Sequence, residues 1–269
     1  MIYIDGEKNT DKAFQNNAFL YGDAVKTHFF VRDSQLIMAE ECYFFLMASM
    51  RKMRMNIPLS FTLEFFSEMF LKAIQEENIS NAVIELLAYR NRGEVLSAKT
   101  PVHFYFELKP KEDVLKITEK YNLDLIKEIS VNTNVLSNIK VHSPENIYAE
   151  IYAKENELDD VILLNPNKKI ARTIYGNLLL LEENSIKIPK QTEGAYISPL
   201  MENFVTFVHK NNLATIEEAE LSAFESQKAE EILMISDEKG IFIVSKIRNK
   251  EFGNERFKAM LDSWKNSFN

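Results

Sequence analysis

The chain has 269 residues, 46% hydrophobic and 27% charged, the balance of a soluble globular protein with a full core and room for one large domain or two ordinary ones. Its net charge of −8 argues against a nucleic-acid partner, which needs a basic surface, and no apolar run approaches the ~18–20 residues of a membrane span. One cysteine, Cys42, excludes an internal disulfide framework and a cysteine-rich metal site, and the opening residues lack the pattern of a signal peptide, so a cytoplasmic location is expected.

In chain order, the pattern predicts an α+β protein with many strands. Residues 24–32 are β-branched and aromatic, Asp33-Ser34 makes a turn, and 35–37 forms a short strand. Leu46, Met47, Met50 and Met53 recur at helical spacing within 39–55. Pro58 ends that region, and Ser60 is the expected N-cap of an amphipathic helix through Glu77, with Glu64 in its first turns. Strands follow at Asn81–Asn91 and Val102–Leu108, with Gly93 in the connection. The polar stretch Lys109–Leu123 is the expected link between two halves, 1–115 and 116–269. The second half opens with a strand near 125–132 and a helix near 145–156, then strands near 160–164, 169–173, 177–182 and 185–189. A helix at 199–211, strands near 230–235 and 240–247, and a helix over 254–267 complete the chain.

Glycine is scarce, seven in 269 residues, and neither G-x-G-x-x-G nor G-x-x-x-x-G-K-[ST] is present, so dinucleotide and P-loop readings have no support. His28, His103, His142 and His209 are isolated and show no metal-ligand spacing. There is no G-x-S-x-G elbow. The paired phenylalanines and the Met50, Met53, Met55 cluster fit core packing better than stacking platforms or a cofactor box.

The stretch Phe19-Leu20-Tyr21-Gly22-Asp23-Ala24-Val25 resembles the opening motif of the fold-type IV (class IV) aminotransferases and aminodeoxychorismate lyases. Further likenesses follow in the same order: Glu40-Glu41 through Ala48-Ser49, Ser137-Asn138-Ile139-Lys140, Asp159 to Asn165, Gly176-Asn177-Leu178, and Ile188-Pro189. The resemblance implies a two-domain α+β fold, a pyridoxal-phosphate (PLP) site between the domains, and a dimer. It makes Lys140 the Schiff-base lysine, and puts Arg172, Asn177 and Ser198 at cofactor-binding positions. Lys140, Arg172 and Asn177 are expected to line one cleft.

The chemistry of that family is altered at several of its positions. Where the family carries Glu-Glu-His-x-x-Arg-Leu, whose arginine binds the cofactor phosphate, this chain has Cys42 and Phe45 in place of the histidine and arginine. The second phosphate turn corresponds to Ser198-Pro199-Leu200-Met201, where Pro199 has no N–H to offer an anion and the arginine is missing. The acid that keeps the pyridine nitrogen protonated is replaced by Arg172, which is permanently cationic. The Arg-x-Arg strand that recognises a substrate carboxylate becomes Val83-Ile84-Glu85.

The expected function is therefore a degenerate class IV protein without PLP, acting as a non-catalytic or repurposed binding subunit. One alternative is a PLP-dependent aminotransferase or lyase that uses Lys140, with Lys26, His28 or Arg51 as replacement cations. The other is a cofactor-free pocket in which Lys140 forms an imine with a carbonyl ligand and His28 or His142 carries the proton. The expected partner is a second copy or an active paralogue, and the 19 Phe, 10 Tyr and 10 Met supply apolar side chains suited to an interface.

Overall fold

The computed structural model describes residues 16–91 and 97–268 in full, together with the backbone of two short strands, β1 (Ile2–Ile4) and β2 (Glu7–Asn9), which pair with each other. Gly93 lies outside the described residues. Helix α1 (Asn17–Tyr21) is capped by Asn16, whose side chain accepts from Phe19 N–H, and ends at Gly22 in the left-handed region at φ 64°. A Cβ on Gly22 would also sit 2.7 Å from the Cβ of His142. Asp23 then enters a buried ion pair with Arg90. These two roles explain why Tyr21-Gly22-Asp23 is a fold signature: it turns the chain and ties it to the first sheet.

That sheet contains β3 (Ala24–Arg32), β4 (Gln35–Ile37), β5 (Ala82–Arg90) and β6 (Val102–Pro110), in the order β4-β3-β5-β6. β3 is central, and eight of its residues, Ala24 to Val31, pair with β5. Helices α2 (Ala39–Lys52) and α3 (Leu63–Glu76) accompany it, and Phe66 and Phe70 of α3 pack edge-to-face against Phe104 and Phe106 of β6. The cap of α3 is Thr62, which accepts from Phe65 N–H at 3.2 Å, and not the expected Ser60.

β7 (Ile117–Leu125) takes the second half of the expected link and β6 its first two residues, so the connection between the halves reduces to Lys111–Lys116. Its polar residues misled the pattern because the first half of the strand faces solvent, where Glu119 pairs with Lys258 at 2.7 Å. The strand expected near 125–132 is irregular beyond Leu125. Next come β8 (Lys140–Val141), α4 (Pro144–Glu155), β9 (Asp160–Leu164), β10 (Ile170–Thr173), β11 (Asn177–Glu182) and β12 (Ser185–Pro189). After α5 (Pro199–Lys210) lies β13 (Thr215–Ala219), whose half-exposed Thr-Ile-Glu-Glu-Ala sequence gave no strand signal. α6 (Ala223–Ser226), β14 (Glu231–Ser236), β15 (Gly240–Ile247), β16 (Lys250–Glu251) and α7 (Glu255–Asn266) follow.

The second sheet runs β10-β9-β7-β15-β14-β11-β12-β13, with β16 beside β15. α5 and α7 pack on it through Phe204 and Trp264, whose rings meet at 5.4 Å. One apolar core, from Phe29 and Phe70 to Phe204 and Trp264, is continuous between the two sheets. Among the described residues no helix is long and apolar enough to cross a membrane.

Candidate functional site

β8 leaves the second half of the chain and pairs with Val25 and Lys26 on the edge of β3 that β4 leaves free. This crossing fixes Lys140 between the two sheets. The approach is anchored by Asn138, whose Nδ2 donates to the carbonyls of Gln191 and Ala195 and whose own carbonyl accepts from Ile197 N–H. Lys140 is 9% exposed, and its ammonium donates to the Tyr175 carbonyl at 3.0 Å. It borders a cavity of about 370 Å³ together with Lys26, His142, Tyr175, Tyr196 and Glu238.

Tyr196 divides this space. Lys140 Nζ stands 5.3 Å from its ring centre and Arg172 Cζ stands 4.3 Å from it. Arg172, on β10, lines a second cavity of about 240 Å³ with Ser137, His142, Ser143 and Tyr196. Asn177 does not reach either cavity. It is fully buried and holds the Tyr196 backbone from behind, donating to its carbonyl at 2.7 Å and accepting from its N–H at 2.9 Å. Gly176 beside it has no room for a side chain, since a Cβ there would lie 2.1 Å from the Ile235 carbonyl oxygen. Gly176-Asn177 is thus a packing motif that positions Tyr196, a residue the sequence pattern did not single out.

Ser198 is also withdrawn from the cavities and caps α5, where its Oγ accepts from Met201 N–H at 3.2 Å. The same hydroxyl donates to Asp237 Oδ1 at 2.7 Å, and that oxygen also accepts from Leu200 N–H at 3.1 Å. Pro199 has no N–H, and Glu202 N–H goes to the Ser198 carbonyl. Every first-turn donor of α5 is therefore spent within the chain. Asp237 is 3% exposed, and with burial its negative charge pushes up the thiol of Cys42 and the carboxyl of Glu202. Phe45 is in the core. A phosphate at this helix end would meet a carboxylate where it needs donors, a phenyl ring where it needs an arginine, and acids alongside. Arg172, which the resemblance puts where the family carries an acid for the pyridine nitrogen, is a buried cation. These residues do not fit PLP held in the family manner.

A second cluster lies on the first sheet. His28 and Glu85 are directly opposed on β3 and β5, 3.6 Å apart, and Glu238 reaches them from the turn after β14. Burial lowers the pKa of His28 and keeps the imidazole neutral at neutral pH. His28, Lys109 and Lys26 together hold the Glu85 carboxyl well below the usual carboxylate range. Lys109 donates to Glu85 at 3.0 Å, and Lys26 lies 3.4 Å from it and 3.9 Å from Glu238. The two lysines already supply the countercharge, which leaves the cluster a neutralised ion network. Of the two histidines considered as proton carriers, only His142 lines the cavities; Arg51, a candidate replacement cation, is exposed on α2 and borders neither.

Two sheets joined by a shared core, with a buried lysine entering the space between them on a short crossing strand, define a protein of the aminotransferase class IV architecture. The family model for amino-transferase class IV matches residues 43–247, and the chain belongs to that family. A branched-chain aminotransferase from Thermoproteus uzoniensis superposes with a TM-score of 0.85 at 15% identity, covering 97% of this chain and 92% of its own. The branched-chain amino acid aminotransferase of Escherichia coli gives 0.84 at 16%, covering 94% and 88%. The 4-amino-4-deoxychorismate lyase of Pseudomonas aeruginosa gives 0.76 at 14%, covering 98% of both chains. A search of curated proteins finds no significant match.

Proposed function

We propose that this chain is a class IV family member that has given up PLP and serves as a non-catalytic or repurposed binding subunit, working as a dimer with itself or with an active paralogue. The observation that carries the reading is the Asp237 carboxylate seated on Ser198 O–H and Leu200 N–H at the start of α5. A helix N-terminus favours one anion, and here the chain provides it. The test is a titration of purified protein with PLP, followed by absorbance and by mass after borohydride reduction. A colourless protein with no adduct on Lys140 is expected; stoichiometric, reducible PLP on Lys140 would refute the reading.

One observation favours a second reading. Lys140 is buried, borders the larger cavity and is aligned by a carbonyl acceptor, an arrangement suited to imine chemistry. With PLP the reaction would be an aminotransferase or lyase reaction of the kind named for the structural neighbours; without it, an imine with a carbonyl ligand. Support for a dimer comes from the exposed Phe19, Leu20 and Tyr21 of α1 and Ile147, Tyr148 and Ile151 of α4, since both helices border the same cavity. Light scattering on the wild type and on Ile151→Glu reads the oligomer directly, and a monomeric wild type without a co-purifying partner would remove this part of the proposal.

A further inference from the structure

Arg172 is a buried cation that makes no direct ion pair among the described residues. Its hydrogen bonds leave through Nη1 alone, to Asn146 Oδ1 at 2.8 Å and to the Thr173 carbonyl at 3.0 Å. The residue is 5% exposed and its Nε is sealed from solvent without a partner, so a molecule in the cavity would meet the guanidinium at its Nη nitrogens. The nearest acids, Glu145 and Asp160, act on it only through their fields, and Asp160 Oδ1 is engaged by the N–H groups of Val161 and Ile174. The Tyr196 ring face and the fields of Glu145 and Asp160 offset part of the cost of this charge, but a buried guanidinium without a direct ion pair gains from a partner that supplies one.

The cavity that Arg172 lines has the other parts of an acid-binding site. Ser143 and Pro144 at the start of α4 also border it, with the first-turn N–H groups of that helix directed to Ser143 itself. Val131, Leu136 and Ile139 supply apolar wall. About 240 Å³ suits a molecule smaller than a drug-sized ligand. We propose that this cavity binds a small monocarboxylate with an apolar body, its carboxylate on Arg172 and its body against Val131, Leu136 and Ile139. The inference rests on the reading that the family cofactor is not held here. It assigns the ligand class of the repurposed pocket and gives Arg172 a positive task.

Glu145 makes the idea testable in both directions. It lines the same cavity, receives a hydrogen bond from Ser143 Oγ at 3.0 Å, and its charge competes with a bound acid. Calorimetric titrations with butyrate and benzoate, and with butyramide and benzamide as uncharged matches, provide the readout. The acids are expected to bind the wild type and the amides to fail. Arg172→Met should weaken the acids by about tenfold or more, the loss of a charge-assisted contact. Glu145→Gln keeps an acceptor for Ser143 and should tighten them several-fold. The second variant preserves the test if Arg172→Met fails to fold. Equal binding of acid and amide, no acid binding at ~50 mM, or weakening by Glu145→Gln would each overturn the proposal. PLP titration of the same preparations separates the two ideas: PLP uptake sinks the earlier reading, whereas absent carboxylate binding without PLP uptake sinks this one alone.

Discussion

Asp237→Ala tests whether an internal carboxylate stands in for a phosphate. In the native chain Asp237 Oδ1 accepts from Leu200 N–H and from Ser198 O–H at the first turn of α5. Leu200 is fully buried, so removing the acceptor strands a buried donor, which costs about 1–3 kcal/mol. Loss of a negative charge at the helix start adds about 0.3–1 kcal/mol, and more at a partly buried site. The sum is about 2–4 kcal/mol, which for a chain of this size lowers Tm by roughly 5–10 °C.

The informative step is rescue. With the carboxylate gone, the freed N–H and hydroxyl form an anion site, and orthophosphate should restore part of the stability. Phosphate at ten times its dissociation constant stabilises by about 1.4 kcal/mol, a few degrees in Tm. Scanning fluorimetry of wild type, Asp237→Ala and Asp237→Asn in increasing phosphate at constant ionic strength measures this. Asn keeps an acceptor without the charge, so its loss and its rescue should both be smaller. Equal phosphate stabilisation of wild type and Asp237→Ala would refute the reasoning, because it would mean the native site is already open to anions.

Two further perturbations probe the frame around the site. Gly22→Ala puts a side chain at φ 64° and a Cβ 2.7 Å from that of His142; left-handed strain alone costs about 1–2 kcal/mol, so urea unfolding should show a loss of about 2–4 kcal/mol. Burial raises Asp160 from 3.8 to about 6. The folded state therefore holds this proton more tightly than the unfolded chain, and the stability it contributes is full below pH ~4 and falls as pH rises through about 6. Asp160→Asn keeps acceptors for Val161 and Ile174 N–H and removes the titration, so relative to the variant the wild type should lose about 3 kcal/mol across that window. A pH-independent difference between the two would contradict the assignment.

The fold was legible in the sequence because its markers are steric. Gly22 is a left-handed cap against His142, and Gly176 leaves room for the Ile235 carbonyl. Such requirements survive when chemistry changes, since they concern what fits. The departures from the family pattern were legible too: Phe45 and Arg172 stand where that pattern carries other side chains. What stands around them was not. Asp237 and Tyr196 come from irregular connections and act through contacts far along the chain, 39 residues from Ser198 in the case of Asp237. No periodicity marks them. The same limit hid β7 and β13, whose outward polar residues mask a strand pattern.

On the proposed reading, the groups that a departing phosphate would leave unsatisfied have been met from within the chain. The start of a helix without its phosphate has free N–H donors and a positive end. Asp237 meets both needs through one oxygen, and Pro199 removes one donor outright. Phe45 contributes to the core where the family pattern carries an arginine. Arg172 departs from this logic, because it is a buried charge that makes no direct ion pair among the described residues. On the proposed reading, this asymmetry separates an end closed by the internal anion Asp237 from an end where the Arg172 charge remains for a ligand.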